Sequence, residues 1–354
     1  MRLNHREAGK GLYESNNKQN ILNYSPEELE TVIAELGEKK FRASQVFGWL
    51  AKGVTCFDDM KNVPAALRAA LEEKFYIGIP EAVRKQESKD GTVKCLFEFA
   101  DGTQVESVFM KYEYGNSICI SSQSGCRMGC TFCASTMDGL DRSLTGGEML
   151  AQVLAMRNIT GEDIGHVVVM GMGEPFDNYI GLSQFIRLIH DKKGCNLGLR
   201  NITVSTCGLI PKIREFALDF PQVNLAVSLH APNQKLREQT MPVAVKYKYD
   251  DLMQACREYT ELTGRRITFE YAVIDGVNDS AACAQELASG LKGWLSHVNL
   301  IPLNEVRGRE YKTANGKNVA AFKRILESSG VAVTVRRTLG SDIDAACGQL
   351  RRNR

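Results

Sequence analysis

The chain has 354 residues, of which 44% are hydrophobic, and its formal net charge is +2. This length is sufficient for one large domain with a smaller one attached, and the balanced charge does not by itself indicate a nucleic-acid-binding protein. No apolar run approaches the length of a membrane span, and residues 1–20 lack the apolar stretch of a signal peptide. We therefore expect a protein of the reducing cytoplasm, whose eleven cysteines are metal-binding, catalytic or buried rather than paired in disulfides.

The N-terminal segment is predicted to be helical. Residues 1–20 are interpreted as a flexible tail and residues 21–85 as a small helical accessory domain. A capping box at Ser25–Glu28, with proline at the first helical position, begins the first helix. Two further helices are predicted near Arg42–Lys52 and Ala65–Lys74.

Residues 86–116 are predicted to form a β-hairpin that links this domain to the rest of the chain. Val93–Phe99 alternates between apolar and polar residues, as a half-buried strand does. Asp101 and Gly102 are a strong turn signal, and a second strand is expected over Val105–Tyr112.

Residues 117–354 are predicted to form the core, because strand and helix patterns alternate there. Repeated strand–helix units imply a parallel sheet, either open or curled into a barrel. Helices are expected between the strands, for example over Thr145–Thr160. The candidate strands are Ser117–Ser121, His166–Met170, Asn201–Ser205, Val223–Leu229, Ile267–Val273, His297–Ile301 and Val331–Arg336.

Three cysteines, Cys126, Cys130 and Cys133, follow the first core strand in a CxxxCxxC spacing. Thiolates this close together suit an iron–sulfur cluster or a zinc ion. A 4Fe–4S cluster normally takes four cysteine ligands, so three ligands would leave one iron open to a small molecule. The alternative is a closed zinc site, for which Cys119 could supply the fourth ligand.

Polar and glycine-containing motifs follow several of the other strands. In a parallel strand–helix array these motifs lie at the carboxyl ends of the strands, on one face of the sheet. The cysteine loop opens on the same face, which predicts a single site. The motifs are Gly171–Pro175, Ser205–Gly208, Ser228–His230 and Pro302–Asn304.

Together these motifs and the stretch Asp342–Leu350 resemble the RlmN/Cfr family of radical S-adenosylmethionine (AdoMet) RNA methyltransferases. The resemblance covers roughly residues 25 to 350. It implies an α/β fold, a partial (β/α)6 barrel, and two cofactors, a 4Fe–4S cluster and AdoMet. It assigns the cluster to Cys126, Cys130 and Cys133. It assigns the AdoMet site to Gly173, Glu174, Ser205, Ser228, Leu229, His230 and Asn304.

The resemblance also implies roles for two cysteines outside the cluster. Cys347 would take a methyl group from one AdoMet, and a second AdoMet would yield a radical that abstracts hydrogen from that methyl group. The resulting methylene would add to C2 of adenine, and Cys119 would release the product by forming a disulfide with Cys347. The proton at C2 would be removed by Cys119 or by Glu106. The sequence leaves the thiol pKa of Cys347 open, because nearby acids would raise it and Arg336 would lower it.

The resemblance implies 23S rRNA (adenine 2503) and tRNA (adenine 37) as substrates, a reducing system such as flavodoxin, no membrane and a monomer. Glu305–Arg337 contains eight Lys or Arg against three Glu, so we expect phosphate contacts from this surface, including Arg336 and Arg351, and from the helical domain. Asp138 and Asp141 place acid just after the cysteine loop, where relatives are often apolar or basic.

Two alternatives remain at this stage. The first is methylation of C8 of the same ribosomal adenosine by a Cfr-type enzyme that confers antibiotic resistance. Pro175 and the Ile301–Pro302 pair favour the C2 enzyme. The second is a zinc-stabilised RNA-binding protein without catalytic activity.

Overall fold

The computed structural model describes residues 18–351, and a small helical unit begins this part of the chain. It contains strand β1 (Gln19–Asn20), helices α1 (Pro26–Glu35), α2 (Arg42–Ala51) and α3 (Ala65–Lys74), and strand β2 (Phe75–Tyr76), which pairs in parallel with β1. The predicted tail, residues 1–20, lies outside the described residues except for residues 18–20, and the last two of these form β1.

The capping box of α1 has the predicted geometry. The Ser25 hydroxyl accepts a hydrogen bond from the Glu28 N–H, and the Glu28 carboxylate accepts one from the Ser25 N–H at 2.7 Å. Two N–H groups that the helix leaves free are thereby satisfied. Leu29 and Ile33, one helical turn apart in α1, are fully buried.

Most of the chain is organised around one ten-stranded sheet with the order β14-β13-β12-β11-β10-β9-β6-β5-β4-β3. Strands β6 and β9 to β14 run parallel, whereas β3, β4 and β5 extend the sheet in antiparallel pairs. A short antiparallel ribbon, β7–β8, lies outside this sheet. In chain order the strands are β3 (Glu81–Glu87), β4 (Val93–Glu98), β5 (Gln104–Tyr112), β6 (Gly115–Ile120), β7 (Gln123–Gly125), β8 (Leu140–Ser143), β9 (His166–Val169), β10 (Ile202–Thr206), β11 (Asn224–Ser228), β12 (Ile267–Val273), β13 (Ser296–Pro302) and β14 (Ala332–Val335).

Helical crossovers connect the parallel strands, as the alternating pattern predicts. The connections are β6–α4–β9, β9–α5–β10, β10–α6–β11, β11–α9–β12, β12–α10–β13 and β13–α11–β14, and two short helices, α7 and α8, precede α9. The helices are α4 (Gly146–Thr160), α5 (Tyr179–His190), α6 (Ile210–Asp219), α7 (Gln234–Thr240), α8 (Val243–Lys246), α9 (Tyr249–Thr263), α10 (Ala281–Leu291) and α11 (Gly316–Ser328). Each candidate core strand of the sequence is present.

The hairpin strands β4 and β5 are part of this main sheet, because β5 pairs with β6 from Val108↔Cys119 to Tyr112↔Gly115. Strand β3 was not predicted. It is an edge strand with a bulge between Ala82 and Arg84, and nearly all of its residues are exposed. Its charged sequence carries no alternating apolar signal, which is typical of an edge protected from further pairing.

No helix within residues 18–351 is both long enough and apolar enough to cross a membrane.

Candidate functional site

One open cavity lies at the carboxyl ends of the parallel strands, where the sequence predicts a single site. It brings together motifs from the cysteine loop and from the ends of β9, β10, β11, β13 and the C-terminal stretch. Three predicted site residues, Leu229, Cys119 and Glu106, do not line it. The predicted residues that do line it are Cys126, Cys130, Cys133, Gly173, Glu174, Ser205, Ser228, His230, Asn304 and Cys347.

The cysteine loop is held between β7 and β8. The Cys126 N–H donates to the Gly139 carbonyl at 3.1 Å, which closes the base of the loop. The Thr131 N–H donates to the Thr240 carbonyl at 2.9 Å, which fixes the loop to the end of α7. The three thiols of the loop are free of disulfides.

The loop suits a cluster better than a single ion. Zinc requires four ligands that converge on one atom, and residues 18–351 contain no group of three or more His, Cys, Asp or Glu side chains that could hold one ion. Cys119 lies in a neighbouring cavity rather than with the three loop cysteines. In an iron–sulfur cluster each thiolate binds a separate iron atom, so the three sulfurs need not converge on one point. Burial raises the pKa of the Cys126 thiol to about 12, and coordination to iron would supply the positive charge that a buried thiolate needs.

Gly173 and Glu174 form one wall of the cavity. Gly173 has φ +97°, and a Cβ there would lie 2.5 Å from the Gln123 Cβ, so only glycine fits. The Glu174 carboxylate is buried and accepts hydrogen bonds from the N–H groups of Cys207 at 2.7 Å and Phe176 at 3.0 Å. Burial raises the pKa of Glu174, and these N–H groups oppose the rise. A carboxylate has roughly four lone-pair sites, so Glu174 can accept further hydrogen bonds from a ligand.

His230 is a buried, neutral ring at the end of β11. Its backbone has φ +53°, and its Nδ1 accepts a hydrogen bond from the Ala272 N–H at 2.9 Å. Burial, together with the charge of Arg237, lowers the pKa of His230 to about 3. The Asn278 side chain, which the sequence did not single out, donates to the His230 carbonyl at 2.7 Å and so fixes this unusual turn.

Cys347 and Cys119 line a second, smaller cavity that adjoins the first, and Asn304 and Arg336 line both cavities. The Asn304 amide donates to the Cys347 carbonyl at 3.1 Å. Burial raises the pKa of Cys119 to about 12. Burial also raises the pKa of Cys347, and the charge of Arg336 opposes that rise.

The position of Arg336 corrects the prediction that it belongs to a phosphate-binding surface. Its guanidinium lies in the cavity and faces Cys347, Glu270 and Tyr112. Glu270 is itself oriented by the Asn299 amide, which donates to its carboxylate at 2.9 Å. Arg336 is therefore placed to stabilise a thiolate at Cys347.

Glu106 lies outside both thiol cavities and lines a separate groove with Arg84, Lys94 and Arg351. Its carboxylate forms a buried ion pair with the Lys94 ammonium at 3.1 Å and accepts the Arg351 N–H at 2.8 Å. Burial raises the pKa of Glu106, and Lys94 opposes the rise. Glu106 thus contacts the chain that carries Cys347 rather than either thiol.

We refer to residues 340–351 as the Cys347 segment, which is fixed from two sides. From β4 and the turn before it, Lys94 donates to the Asp344 carbonyl at 3.1 Å, and Ser88 donates to the Asp342 carboxylate at 2.6 Å. From the cysteine loop, Ala134 N–H donates to the Gly348 carbonyl at 2.8 Å, and Ser135 donates to the Leu350 carbonyl at 2.7 Å.

The two acids after the cysteine loop have partners within the protein. Asp138 forms an ion pair with Arg351 at 3.0 Å, and Asp141 accepts a hydrogen bond from the Ser124 hydroxyl at 3.2 Å. Asp138 therefore fixes the Cys347 segment, and Arg351 is already engaged with it rather than fully available to phosphate.

Comparisons with known proteins agree with this arrangement. Residues 120–283 match the Radical SAM superfamily, and residues 19–77 match the Ribosomal RNA large subunit methyltransferase N-terminal domain. A Lachnospira eligens protein named "Probable dual-specificity RNA methyltransferase RlmN" is 53% identical over 332 residues, 93% of this chain and 94% of that protein. A protein of the same name from Clostridium novyi is 51% identical over 337 residues, 95% of this chain and 98% of that protein.

A solved structure shows the same fold. The crystal structure of a radical SAM methyltransferase from Sphaerobacter thermophilus is 44% identical and covers 94% of this chain and 99% of its own, with a TM-score of 0.91. The α/β radical SAM fold expected from the sequence is therefore confirmed.

Proposed function

The chain belongs to the RlmN family of radical SAM RNA methyltransferases, and on this premise we propose that it methylates C2 of adenosine in 23S rRNA and in tRNA. The observation that carries the proposal is the pair of thiols, Cys347 and Cys119, in a small cavity that adjoins the one lined by the cysteine loop. A methyltransferase that used AdoMet directly would need neither thiol. C2 of adenine is electrophilic, so the methyl group has to reach it by way of a carrier.

The cofactors are a 4Fe–4S cluster and AdoMet. When bound, they supply a low-potential electron and the radical that it generates from AdoMet. The chain's cluster ligands in this proposal are Cys126, Cys130 and Cys133. The residues proposed to bind AdoMet are Gly173, Glu174, Ser205, Ser228, Leu229, His230 and Asn304, with Leu229 contributing through its backbone because its side chain is fully buried.

The cavity walls suit the parts of AdoMet. Glu174 is a buried acceptor, and its charge complements the methionyl ammonium group. His230 is neutral, and the Phe132 ring lies roughly perpendicular to it, with the two ring centroids 5.0 Å apart. Gly173 lets the backbone approach the ligand closely.

Cys347 is the proposed methyl carrier. Its thiolate, stabilised by Arg336, would attack the methyl carbon of AdoMet, S-adenosylhomocysteine would leave, and the methyl group would stay on Cys347 as a thioether. Cys119 is the proposed second thiol, which releases the methylated RNA by forming a disulfide with Cys347. Cys119 shares a cavity with Cys347 and Glu106 does not, so we assign removal of the C2 proton to Cys119.

The remaining parts of the proposal concern partners. The adenine must leave its stack to enter the cavity, so single-stranded loops are the expected targets. Phosphate contacts are assigned to the helical unit and to exposed cations near the Cys347 segment, such as Arg84 and Arg307. We further propose a monomer that acts in the cytoplasm with a reducing system such as flavodoxin.

The test is the identity of the product. The cluster is reconstituted without oxygen, and AdoMet, a reductant, an unmodified 23S rRNA fragment and tRNA are added. Nucleosides from the digested RNA are compared by mass spectrometry with 2-methyladenosine and 8-methyladenosine. The 2-methyl product is expected, and the 8-methyl product would make this a Cfr-type enzyme. If the protein holds an intact cluster and gives neither product, the proposed RNA substrates are wrong.

Single cysteine variants test the division of labour. Cys119→Ala is expected to accumulate a covalent protein–RNA adduct, and Cys347→Ala to give neither adduct nor product. The matched control is Cys56→Ala, because Cys56 is an exposed free cysteine in the helical unit.

A colourless protein after anaerobic reconstitution would support the zinc alternative instead.

A further inference from the structure

Arg237 is a fully buried arginine, with 0% of its surface exposed, on the short helix α7. Its Nη2 donates to the Cys207 carbonyl at 2.5 Å and lies 3.4 Å from the Ser228 carbonyl. Its Nε and Nη1 atoms are buried and have no hydrogen-bond partner. Half-satisfied burial of a guanidinium is costly, so this side chain needs an explanation.

No carboxylate within residues 18–351 forms an ion pair with Arg237. Its electrostatic neighbours include the thiols of Cys207, Cys130 and Cys256, the hydroxyl of Tyr249 and the His230 ring. A buried cation without an anion is strongly unfavourable, whereas one that faces a buried anion is stabilised. The protein therefore offers a positive charge to something negative that it does not itself provide.

The neighbouring element is the cysteine loop. Helix α7 ends at Thr240, whose carbonyl accepts hydrogen bonds from both the N–H (2.9 Å) and the hydroxyl (3.2 Å) of Thr131. Thr131 directly follows Cys130. Arg237 does not line the open cavity, but it donates to the carbonyls of Cys207 and Ser228, which do. It therefore lies behind the wall that these residues form beside the cysteine loop, out of contact with a ligand in the cavity.

We propose that Arg237 is the fixed counter-charge of the iron–sulfur cluster held by the cysteine loop. This inference rests on the cluster of the proposed function and goes beyond it by assigning the residue that tunes the cluster. A 4Fe–4S cluster with three thiolates carries a net negative charge and gains one more on reduction by a low-potential one-electron donor. A permanent cation nearby favours the reduced form, since net charge is among the quantities that set the potential of such clusters.

A purely structural role is the competing explanation. The Cys207 carbonyl accepts from Arg237 while the Cys207 N–H donates to Glu174, so Arg237 also positions a residue of the AdoMet wall. Variants that separate charge from hydrogen bonding distinguish the two roles. Arg237→Lys keeps the charge, Arg237→Gln keeps a hydrogen-bond donor without charge, and Arg237→Met keeps neither.

The first measurement is the midpoint potential of the cluster in the reconstituted full chain, by spectroelectrochemical titration without AdoMet or RNA. We expect Arg237→Gln and Arg237→Met to lower the potential by at least the equivalent of a tenfold change in the reduction equilibrium, about 59 mV for one electron. Arg237→Lys should stay near the wild type. The control is Arg265→Gln, another partly unsatisfied arginine, which donates to Asn224 at the opposite end of β11.

Two results overturn the proposal. One is a midpoint potential that shifts as far in Arg237→Lys as in Arg237→Gln, and the other is an unchanged potential in both Arg237→Gln and Arg237→Met. Iron and sulfide content gives a second outcome. Cluster uptake by the Lys variant but not by Gln or Met shows the same dependence on charge, whereas loss of uptake in all three shows that the guanidinium geometry matters instead. Because no RNA is used, a wrong RNA substrate leaves this result unaffected.

Thermal unfolding of the cluster-free chain gives an independent readout. Without the cluster, Arg237 is an uncompensated buried charge, so Arg237→Met is expected to raise the unfolding temperature. With the cluster bound, the same substitution is expected to lower it. A change of the same sign in both states contradicts the proposal.

Discussion

The ion pair between Lys94 and Glu106 supports the strongest stability prediction. Only 7% of the Lys94 side chain and 3% of the Glu106 side chain are exposed, and their charged atoms lie 3.1 Å apart. Removing one partner of a buried pair leaves the other charge uncompensated, which costs about 3–5 kcal/mol. Lys94→Met also loses the hydrogen bond to the Asp344 carbonyl, worth about 1 kcal/mol.

We therefore expect Lys94→Met and Glu106→Leu each to lower the free energy of unfolding by about 3–5 kcal/mol. The Cys347 segment should be the part of the structure that loosens most, because both side chains hold its backbone. The double variant Lys94→Met/Glu106→Leu should recover much of that loss, because replacing both charges by apolar groups is often close to neutral. The difference between the double variant and the sum of the single variants measures the pair.

The assay combines urea unfolding with hydrogen–deuterium exchange of peptides that cover residues 340–351. Exchange there should rise sharply in both single variants and less in the double variant. The matched control is Lys111→Met, which breaks the Lys111–Glu162 pair, also anchored on the hairpin strands but with 51% and 41% of the side chains exposed. Such a pair contributes about 0.2–1 kcal/mol.

Two results would refute the reasoning. One is a Lys94→Met effect no larger than that of Lys111→Met, and the other is strict additivity of the two buried substitutions. The functional consequence follows from the same contacts. If Glu106 positions Cys347 rather than acting as the base, both single variants should slow methylation of Cys347 itself, measured by protein mass before RNA is added.

Three further predictions concern the cavity walls. Gly173→Ala places a Cβ 2.5 Å from Gln123 at φ +97° and should abolish AdoMet binding in equilibrium dialysis, whereas Gly161→Ala, also at positive φ but in open space, should cost only about 1–2 kcal/mol of stability. The pKa of His230 is lowered from 6.5 to about 3, so its contribution to stability is full above pH 6.5 and is lost as the pH falls towards 3. Between pH 7 and pH 5 the wild type should therefore lose about 2 kcal/mol more of its unfolding free energy than His230→Gln; equal losses would contradict the assignment. Arg336→Met removes the charge that opposes the raised pKa of Cys347, so the pH at which Cys347 is alkylated by iodoacetamide should move up, and an unchanged profile would show that Arg336 acts elsewhere.

The sequence predicted most of the parallel strands well because their apolar residues are buried in the core; the edge strand β14 is the exception and is mostly exposed. Ile267–Val273 and its neighbours are short apolar runs bounded by turns and separated by helical patterns, and such runs have few other interpretations. Strand β3 was missed for the opposite reason. Most of its residues are polar and exposed, and pairing with the next strand, β4, rather than an apolar pattern of its own, makes them a strand.

The site was predictable where a residue is attached to a strand end and unpredictable where tertiary contacts decide its environment. Cys126 and Glu174 follow strands, so topology alone brought them together. Arg336 follows a strand too, and the sequence left open whether its charge acts on Cys347 or on phosphate, because its basic neighbours gave it the pattern of a solvated surface. The fold places it against Cys347. Arg237 lies in a polar, charged helix, Gln234–Thr240, whose sequence gives no sign that one side is completely buried.

The contacts of the cysteine loop have a consequence for iron supply. Ala134 and Ser135, directly after Cys133, donate to carbonyls of the Cys347 segment, so the proposed cluster ligands and the proposed methyl carrier are fixed to the same few residues. A cluster that binds only the ordered cysteine loop stabilises that ordered form. Because coupling between two sites is reciprocal, an ordered Cys347 segment must strengthen cluster binding by the same factor. If these roles hold, an enzyme in a cell short of iron would lose its electron source and the placement of the Cys347 thiol together. When only part of the population holds a cluster, each molecule would have both the cluster and an ordered Cys347 segment or neither. Few molecules would then cleave AdoMet without being able to methylate RNA.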